Sequence, residues 1–302
     1  MRSGIKTAGK NTLTKSKVNK IWHRKSSIYF MHNSVFLREA VEGLSVKNGG
    51  KYIDATYGVG GHSRRIVDLG GRVLAIELDP EVKLSESKVI RLVHGNFSDI
   101  KQIALQHSWS PAEGIIFDFG LSMDQLDNSR KGFSFKKDHE PLDMRISARG
   151  MTAAEVLNQF SESDLQELIP RFSEEITATR IVSEIIKIRK KQPVTTVLSL
   201  KKVIDRVTKS IRYDIYSRIF QSLRMIVNDE IENIRKGLTG AMDLIGDEGK
   251  IVVISFHSIE DREVKRVVKQ FPQFKETRIK VEKQRRLAPY EGSARLRIIE
   301  KI

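Results

Sequence analysis

Short apolar, β-branched runs recur through the first part of the chain at residues 51–55, 72–78, 90–93 and 114–117, and a fifth follows far downstream at 250–256. Each is bounded by Gly, Asp or Pro, and uninterrupted runs of this length suit strands covered on both faces, as in a parallel sheet. The segments between the first four each have room for one helix, near 62–69, 80–87 and 98–107, which is βαβ alternation. The second of these is cramped, since only about ten residues separate Pro80 from the third run. From Leu121 to Tyr213 the pattern predicts helices alone, at 152–158, 161–169, 174–191 and 198–209, the second opened by a Ser161/Asp164 capping pattern. One long helix is predicted over 214–238, with Phe220, Leu223, Val227, Ile231, Ile234 and Leu238 on a single buried face. Residues 277–281 and 295–302 suit a strand hairpin at the sheet edge, with Pro289 and Gly292 in its connection. The chain thus reads as α/β: a sheet domain at 31–120 and 214–302, a helical insertion at 121–213, and a tail at 1–30.

Composition narrows the class. With 302 residues, 39% hydrophobic and 30% charged, the chain is large and apolar enough to close a core. It contains no cysteine, which excludes disulfides, thiolate metal sites, iron-sulfur clusters and cysteine nucleophiles together, and no metal site is expected. The longest clean apolar run is 251–256, so a soluble protein with no membrane partner is expected. Lys and Arg outnumber Asp and Glu by 53 to 38, a net charge of +15 that favours a polyanionic partner, nucleic acid first. Eight of those surplus charges lie in residues 1–30, which hold no acid and are rich in Ser, Thr and Asn. The tail reads as a disordered arm gripping RNA, as an organelle transit peptide, or as sequence ahead of a true start at Met31. Residues 187–212 carry nine basic side chains against the single acid Asp205, and 262–286 is a second basic stretch. Two such runs suit a surface that tracks phosphates better than two merely solvated helix faces.

Several motifs carry candidate chemistry. Asp54-Ala-Thr-Tyr-Gly-Val-Gly-Gly-His62 lies between the first predicted strand and a helix, where glycines let a ligand approach the backbone. Glu77 or Asp79, ending the second strand, is placed to accept from ribose hydroxyls, so a nucleoside-containing cofactor is implied; the plainer reading is that the glycines only tighten turns. The dinucleotide fingerprint requires a third glycine where this chain has Ser63, which weakens a nicotinamide reading. Phe97, after the third strand, is either an adenine-packing aromatic or a core residue. Asp118 and Ser122 follow the fourth strand at the ligand-binding edge of an open sheet, where Asp118 serves a ligand or caps a helix. Phe133 and Phe135, with Asp143 and Arg145 close behind, form either an RNA-facing loop that stacks on an unpaired base or a loop braced by an Asp143–Arg145 ion pair. Arg218, Gln221, Arg224 and Asn228 make a polar stripe on the long helix. Ser255 and His257 end the fifth strand beside Asp118, and a Ser-His-acid hydrolase is excluded by the missing G-x-S-x-G elbow.

In order along the chain, these segments resemble the MraW family of methyltransferases. The match runs from His32-Asn-Ser-Val-Phe-Leu-Arg-Glu39 through the glycine-rich turn, Gly95-Asn-Phe97, Asp118-Phe-Gly-Leu-Ser122, Arg130-Lys-Gly-Phe-Ser-Phe135 and Pro141-Leu-Asp-Met-Arg145 to Ser255-Phe-His-Ser-Ile-Glu-Asp-Arg262. The resemblance implies a class I S-adenosylmethionine-dependent sheet interrupted by a helical substrate-recognition domain. It implies methylation of cytosine N4 in the decoding region of small-subunit (16S) ribosomal RNA, with that RNA or the small subunit as partner. Gly60, Gly61, His62, Glu77, Phe97, Asp118 and Gln125 would line the S-adenosylmethionine site. Phe133, Phe135, Asp143, Arg145, Arg218 and Arg224 would face RNA. Three positions depart from the family: Glu77 stands for the usual Asp, Ser122-Met-Asp124 for Ser-Ser-Pro, and Asp214-Ile-Tyr-Ser217 for His-Pro-Ala-Thr. The cytosine amine is a poor nucleophile because its lone pair is delocalised, so an acceptor must draw on its N–H; Asp118, Ser122, Ser255 and His257 are the candidates. A catalytically silent RNA-binding assembly factor and a nicotinamide-dependent oxidoreductase are the readings from other classes. The resemblance places the chain in bacterial cytoplasm, with the mitochondrial matrix as the alternative raised by the tail, and leaves monomer and homodimer open.

Overall fold

Seven strands form one sheet in the order β3-β2-β1-β4-β5-β7-β6. They are β1 (Lys51–Asp54), β2 (Arg72–Glu77), β3 (Ile90–His94), β4 (Ala112–Asp118), β5 (Ile245–Ser255), β6 (Phe274–Ile279) and β7 (Arg295–Lys301). The computed structural model describes residues 34–83, 87–121, 123–281 and 292–302. The basic tail, His32, Ser122 and Pro289 therefore lie outside the described residues.

β1 to β5 pair in parallel, while β7 is antiparallel to both β5 and β6. The order reverses between β1 and β4, and ligands of open parallel sheets bind at the carboxyl ends of such strands. Register brings the chemistry to that edge: Asp54 lies opposite Ala75 and Ile116, so Glu77 and Asp118 each project two residues beyond, and Ser255 follows the Ile254 that faces Asp118.

The two-residue period of the strands sorts their side chains onto two faces. Ile53, Leu74, Ile115, Phe117 and Val253 pack against α3 (Ile100–Gln106), α10 (Glu230–Leu244) and α11 (Ser258–Val268). Tyr52, Val73, Ala75, Ile116 and Val252 point the other way, onto α1 (Leu37–Leu44) and α2 (Gly61–Asp68). Between β4 and β5 stand α4 (Met123–Asn128), α5 (Ala153–Gln159), α6 (Glu162–Ser173), α7 (Ala178–Arg189), α8 (Val197–Thr208) and α9 (Tyr213–Val227). α5 to α9 bury Leu157, Leu165, Ile181, Leu200 and Ile219 in a core of their own. Each such side chain contributes about 1.5–3 kcal/mol by leaving water. Capping boxes at Thr152/Glu155, Ser161/Asp164 and Thr196/Ser199 start α5, α6 and α8 by satisfying amides that have no partner within the helix.

Three expectations are corrected. The helix predicted over 214–238 is two helices, because Asp229 takes a left-handed φ of 50° between α9 and α10. Phe220 and Leu223 accordingly join the helical core, and Ile234 and Leu238 the sheet core. The helix expected from Glu174 begins at Ala178, since Glu174 is the left-handed cap of the preceding helix. Among the described residues of 80–87 there is a turn at Pro80 and Glu81 and no helix, as the cramped spacing allows.

Candidate active site at the carboxyl edge of the sheet

The glycine-rich turn is shaped by two buried acids. Asp54, at the end of β1, accepts from Ser63 Oγ at 2.6 Å and from the Thr56 amide at 3.3 Å. Glu77 accepts from the Gly58 amide at 2.7 Å and, through its other oxygen, from the Asp79 amide at 2.8 Å. Burial raises both carboxyls, Asp54 to about 6. The turn also demands its glycines: a Cβ on Gly60, whose φ is 75°, would fall 2.5 Å from the Tyr57 ring, and one on Gly61 would fall 2.0 Å from Ser34 Oγ. α2 then starts at Gly61 and turns its first amides toward the ligand edge.

His62 is buried, and desolvation lowers it to about 4, so it is neutral at physiological pH. Its Nε2 lies 3.1 Å from the Val35 carbonyl oxygen, which only accepts, so Nε2 carries the proton and Nδ1 presents a lone pair. That lone pair faces the Asp118 carboxylate at 3.9 Å. The Asp118 amide donates to Thr56 Oγ1 at 2.7 Å, tying β4 to the turn. Gln125 on α4 donates to Asp79 at 3.2 Å, closing the edge from the far side. Phe97 opens a short 3-10 turn after β3 and packs with Phe117 and Phe119, ring centroids 5.8 and 5.7 Å away. The structure therefore gathers Gly60, Gly61, His62, Glu77, Phe97, Asp118 and Gln125 around one strand edge. Acids and acceptors dominate it, which suits ribose hydroxyls and a cationic amino-acid and sulfonium moiety; a pyrophosphate there would be repelled.

The other sequence-selected residues, Ser255 apart, are engaged in holding the helices. Ser255 is 2% exposed at the end of β5. His257 caps α11: its Nδ1 faces the Glu260 amide at 3.4 Å, and its Nε2 lies 2.9 Å from Glu260 Oε1. Buried Glu260 also accepts from the Phe256 amide at 2.7 Å. Arg224 is bound in two-pronged fashion to Glu230 at 2.7 and 2.9 Å and lies 4.0 Å from Glu260. Among the described residues, Glu230, His257 and Glu260 bring ligand atoms within 4.8 Å of one another, but the Arg224 guanidinium already supplies the cation there. Arg218 reaches Glu175 at 3.3 Å. Phe133 is buried in the helical core, and Phe135 packs among Tyr213, Tyr216 and Phe220. Asp143 and Arg145 form a two-pronged pair at 2.8 and 2.9 Å, with Arg145 also donating to the Ala148 and Gly150 carbonyls.

Sequence reasoning passed over Glu174, Glu230 and the joining role of Glu260. The last was signalled by the three-residue spacing of His257 and Glu260, that of an N-cap and its partner. The first two had no local signal.

A sheet of this order, with β7 reversed between β5 and β6 and a glycine-rich turn and strand-end acid at its switch point, defines a class I S-adenosylmethionine-dependent methyltransferase. Sequence comparison makes the assignment narrower. The model of the MraW methylase family matches residues 29–302, and the chain belongs to that family. Three relatives carry the name ribosomal RNA small subunit methyltransferase H. The protein from Thermomicrobium roseum is 42% identical over 80% of this chain and 76% of its own length, and that from Alteromonas mediterranea 40% over 80% of each. The Nitrosomonas eutropha protein is 39% identical over 79% of each. An rRNA methylase structure from Streptococcus thermophilus aligns at TM-score 0.38 and 9% identity over 87% of this chain and 92% of that one, a likeness too loose to add to the strand order. Among the described residues no helix is long and apolar enough to cross a membrane.

Proposed function

We propose that the chain transfers a methyl group from S-adenosylmethionine to N4 of a cytidine in the decoding region of small-subunit (16S) ribosomal RNA. The observation that carries this reading is the placement of Glu77, His62 and Asp118 on one strand edge in a chain of the MraW methylase family. When bound, the cofactor supplies an electrophilic methyl group on sulfur. The Gly60-Gly61 turn would admit it, Glu77 would accept from its ribose, Phe97 would pack on its base, and Gln125 would close over it from α4. Transfer of that methyl group to the cytosine amine would leave the nitrogen with a surplus proton, which a residue of this chain must take up.

Of the candidate acceptors, Ser255 is buried and the ring nitrogens of His257 are turned onto Glu260, while Ser122 lies outside the described residues. The Asp118 side chain is 20% exposed at the edge and is the acceptor we assign. It accepts an N–H hydrogen bond from the amine, tilts it toward tetrahedral geometry, and receives the proton after attack. Neutral His62 stands beside it, its Nδ1 3.9 Å from the Asp118 carboxylate. We assign substrate recognition to the helical layer between β4 and β5, and the compartment to bacterial cytoplasm.

The test is nucleoside mass spectrometry of small-subunit RNA from a strain lacking the protein, after incubation with purified enzyme and S-adenosylmethionine. N4-methylcytidine is expected with wild type, with turnover lower by at least about 100-fold in Asp118→Ala, the usual scale of a general base. Full turnover in Asp118→Ala overturns the assignment of the acceptor; no methyl transfer despite cofactor binding overturns the reading itself in favour of a silent RNA-binding factor.

A further inference from the structure

We propose that Tyr213 and the basic face of α8 form a docking platform for the single-stranded RNA that flanks the target nucleotide; this rests on the RNA methyltransferase reading. Tyr213, at the start of α9, is 65% exposed although its ring packs on an aromatic column: Phe135 lies 6.2 Å away at 37° and Tyr216 6.0 Å away at 85°. An exposed ring held by other rings is a preorganised stacking surface for a base. The exposed charges along the adjoining end of α8 are basic. Lys202 and Arg206 are exposed at i and i+4 along α8, hence on one side of it; Lys209 is exposed at its left-handed C-cap, and the chain reaches Tyr213 four residues later.

The acids nearby are each partnered, Asp214 with Arg212 at 2.8 Å. Asp205 accepts from the buried Tyr216 hydroxyl, Asp138 holds Lys201 at 2.7 Å, and Glu184 is shared at 3.7 Å by Lys187 and Arg206. The face therefore stays positive, and an aromatic platform beside a run of cations is the pairing that binds unpaired nucleic acid. Its place in the fold agrees. Arg224 lies eleven positions along α9 from Tyr213, about 16 Å at helical rise, and sits against the Glu260 that caps the end of β5. The platform thus stands a few nucleotides from the reacting edge, at the N-terminal end of α9 where Asp214-Ile-Tyr-Ser217 replaces the family's usual residues.

The experiment measures binding of a short single-stranded RNA carrying the target cytidine to the full-length wild type, Tyr213→Ala, Tyr213→Trp and the triple variant Lys202→Gln/Arg206→Gln/Lys209→Gln, across a range of salt. Tyr213→Ala is expected to weaken binding about 5- to 100-fold, with Tyr213→Trp close to wild type. The triple variant should lower the slope of log affinity against log salt by about 2. S-adenosylmethionine affinity and melting temperature, unchanged in all, separate these effects from misfolding. Wild-type binding by Tyr213→Ala, a Trp variant no better than Ala, or an unchanged salt slope overturns the platform. Should wild type bind RNA with these responses yet form no N4-methylcytidine, the platform stands and the methyltransferase reading fails.

Discussion

Replacing Asp54 by Asn separates what the glycine-rich turn costs from what it does. Asp54 is 1% exposed, and burial lifts its carboxyl from 3.8 to about 6 even though Ser63 and Thr56 donate to it. The folded state thus holds this proton more tightly than the unfolded chain, so ionisation opposes folding. The Asp54 contribution is intact below about pH 4, falls as pH rises through about 6, and is then constant at its lowest value. The interval from 3.8 to about 6 corresponds to about 3 kcal/mol of destabilisation at pH 8. Asn is close in shape to the protonated acid and does not titrate, so the stability of Asp54→Asn relative to wild type should rise by about 3 kcal/mol between about pH 4 and about pH 8. Comparing the two proteins at both pH values cancels any constant cost, such as the acceptor lost when one carboxylate oxygen becomes an amide. Urea unfolding read by linear extrapolation supplies the numbers. A difference that is flat or shrinks with pH would refute the reasoning. The same variant should bind S-adenosylmethionine more weakly, because an amide oxygen cannot serve Ser63 and Thr56 as two carboxylate oxygens do; a destabilising acid is kept where it shapes the site.

Further outcomes follow from single contacts. Glu77→Ala should reduce S-adenosylmethionine affinity at least about tenfold by calorimetry, since it removes the acceptor proposed for the ribose and releases the Gly58 and Asp79 amides. Gly61→Ala should cost about 1–3 kcal/mol in thermal or urea unfolding, because its Cβ would lie 2.0 Å from Ser34 Oγ, and Ser34→Gly in the same chain should restore most of it. Asn228→Ala should cost about 3 kcal/mol, since this carboxamide accepts from the Ile146 amide at 2.9 Å and donates to the Met144 and Arg224 carbonyls at 2.8 and 2.9 Å. Ile181→Ala, fully buried in the helical core, should cost about 2–5 kcal/mol while leaving S-adenosylmethionine affinity unchanged below the melting transition.

Strand edges made much of this site legible. Apolar runs ending in Asp54, Glu77 and Asp118 announce both a parallel sheet and the acids at its carboxyl edge, because strand direction and a period of two leave few other placements. Helix starts were legible where a cap is local, as at Ser161 and Asp164. The break between α9 and α10 was not, because apolar spacing continues from Val227 to Ile231 as though the helix were unbroken. What turns the chain at Asp229 is tertiary: Asn228 is tied to the 144–146 loop, more than 80 residues earlier in sequence. The insertion of β7 between β5 and β6 was likewise hidden, since a hairpin pattern does not say which of its strands joins the sheet.

The same distinction decides how the basic side chains should be read. Arg224 and Arg218 have the residue type and the position expected of RNA contacts, yet each is paired inside the fold with Glu230 or Glu175. Arg262 and Ser258 on α11 both donate to Glu174, fastening the start of that helix to the cap of α6. These joints converge on the end of β5, where Glu260 holds the Phe256 amide and the His257 ring, so the helical layer is clamped to the sheet beside the proposed reacting edge. Removing Arg224 would leave Glu230 short of its partner and Glu260 buried with less compensation, and would perturb alignment and stability together. The RNA phosphates must then be met mainly by cations that the fold has not already spent, and the face through Lys202 and Lys209 is the one that the proposed platform uses. Charge removal on α8 should therefore change RNA affinity and its salt dependence without touching the joints, whereas charge removal on α9 should change turnover, stability and affinity at once.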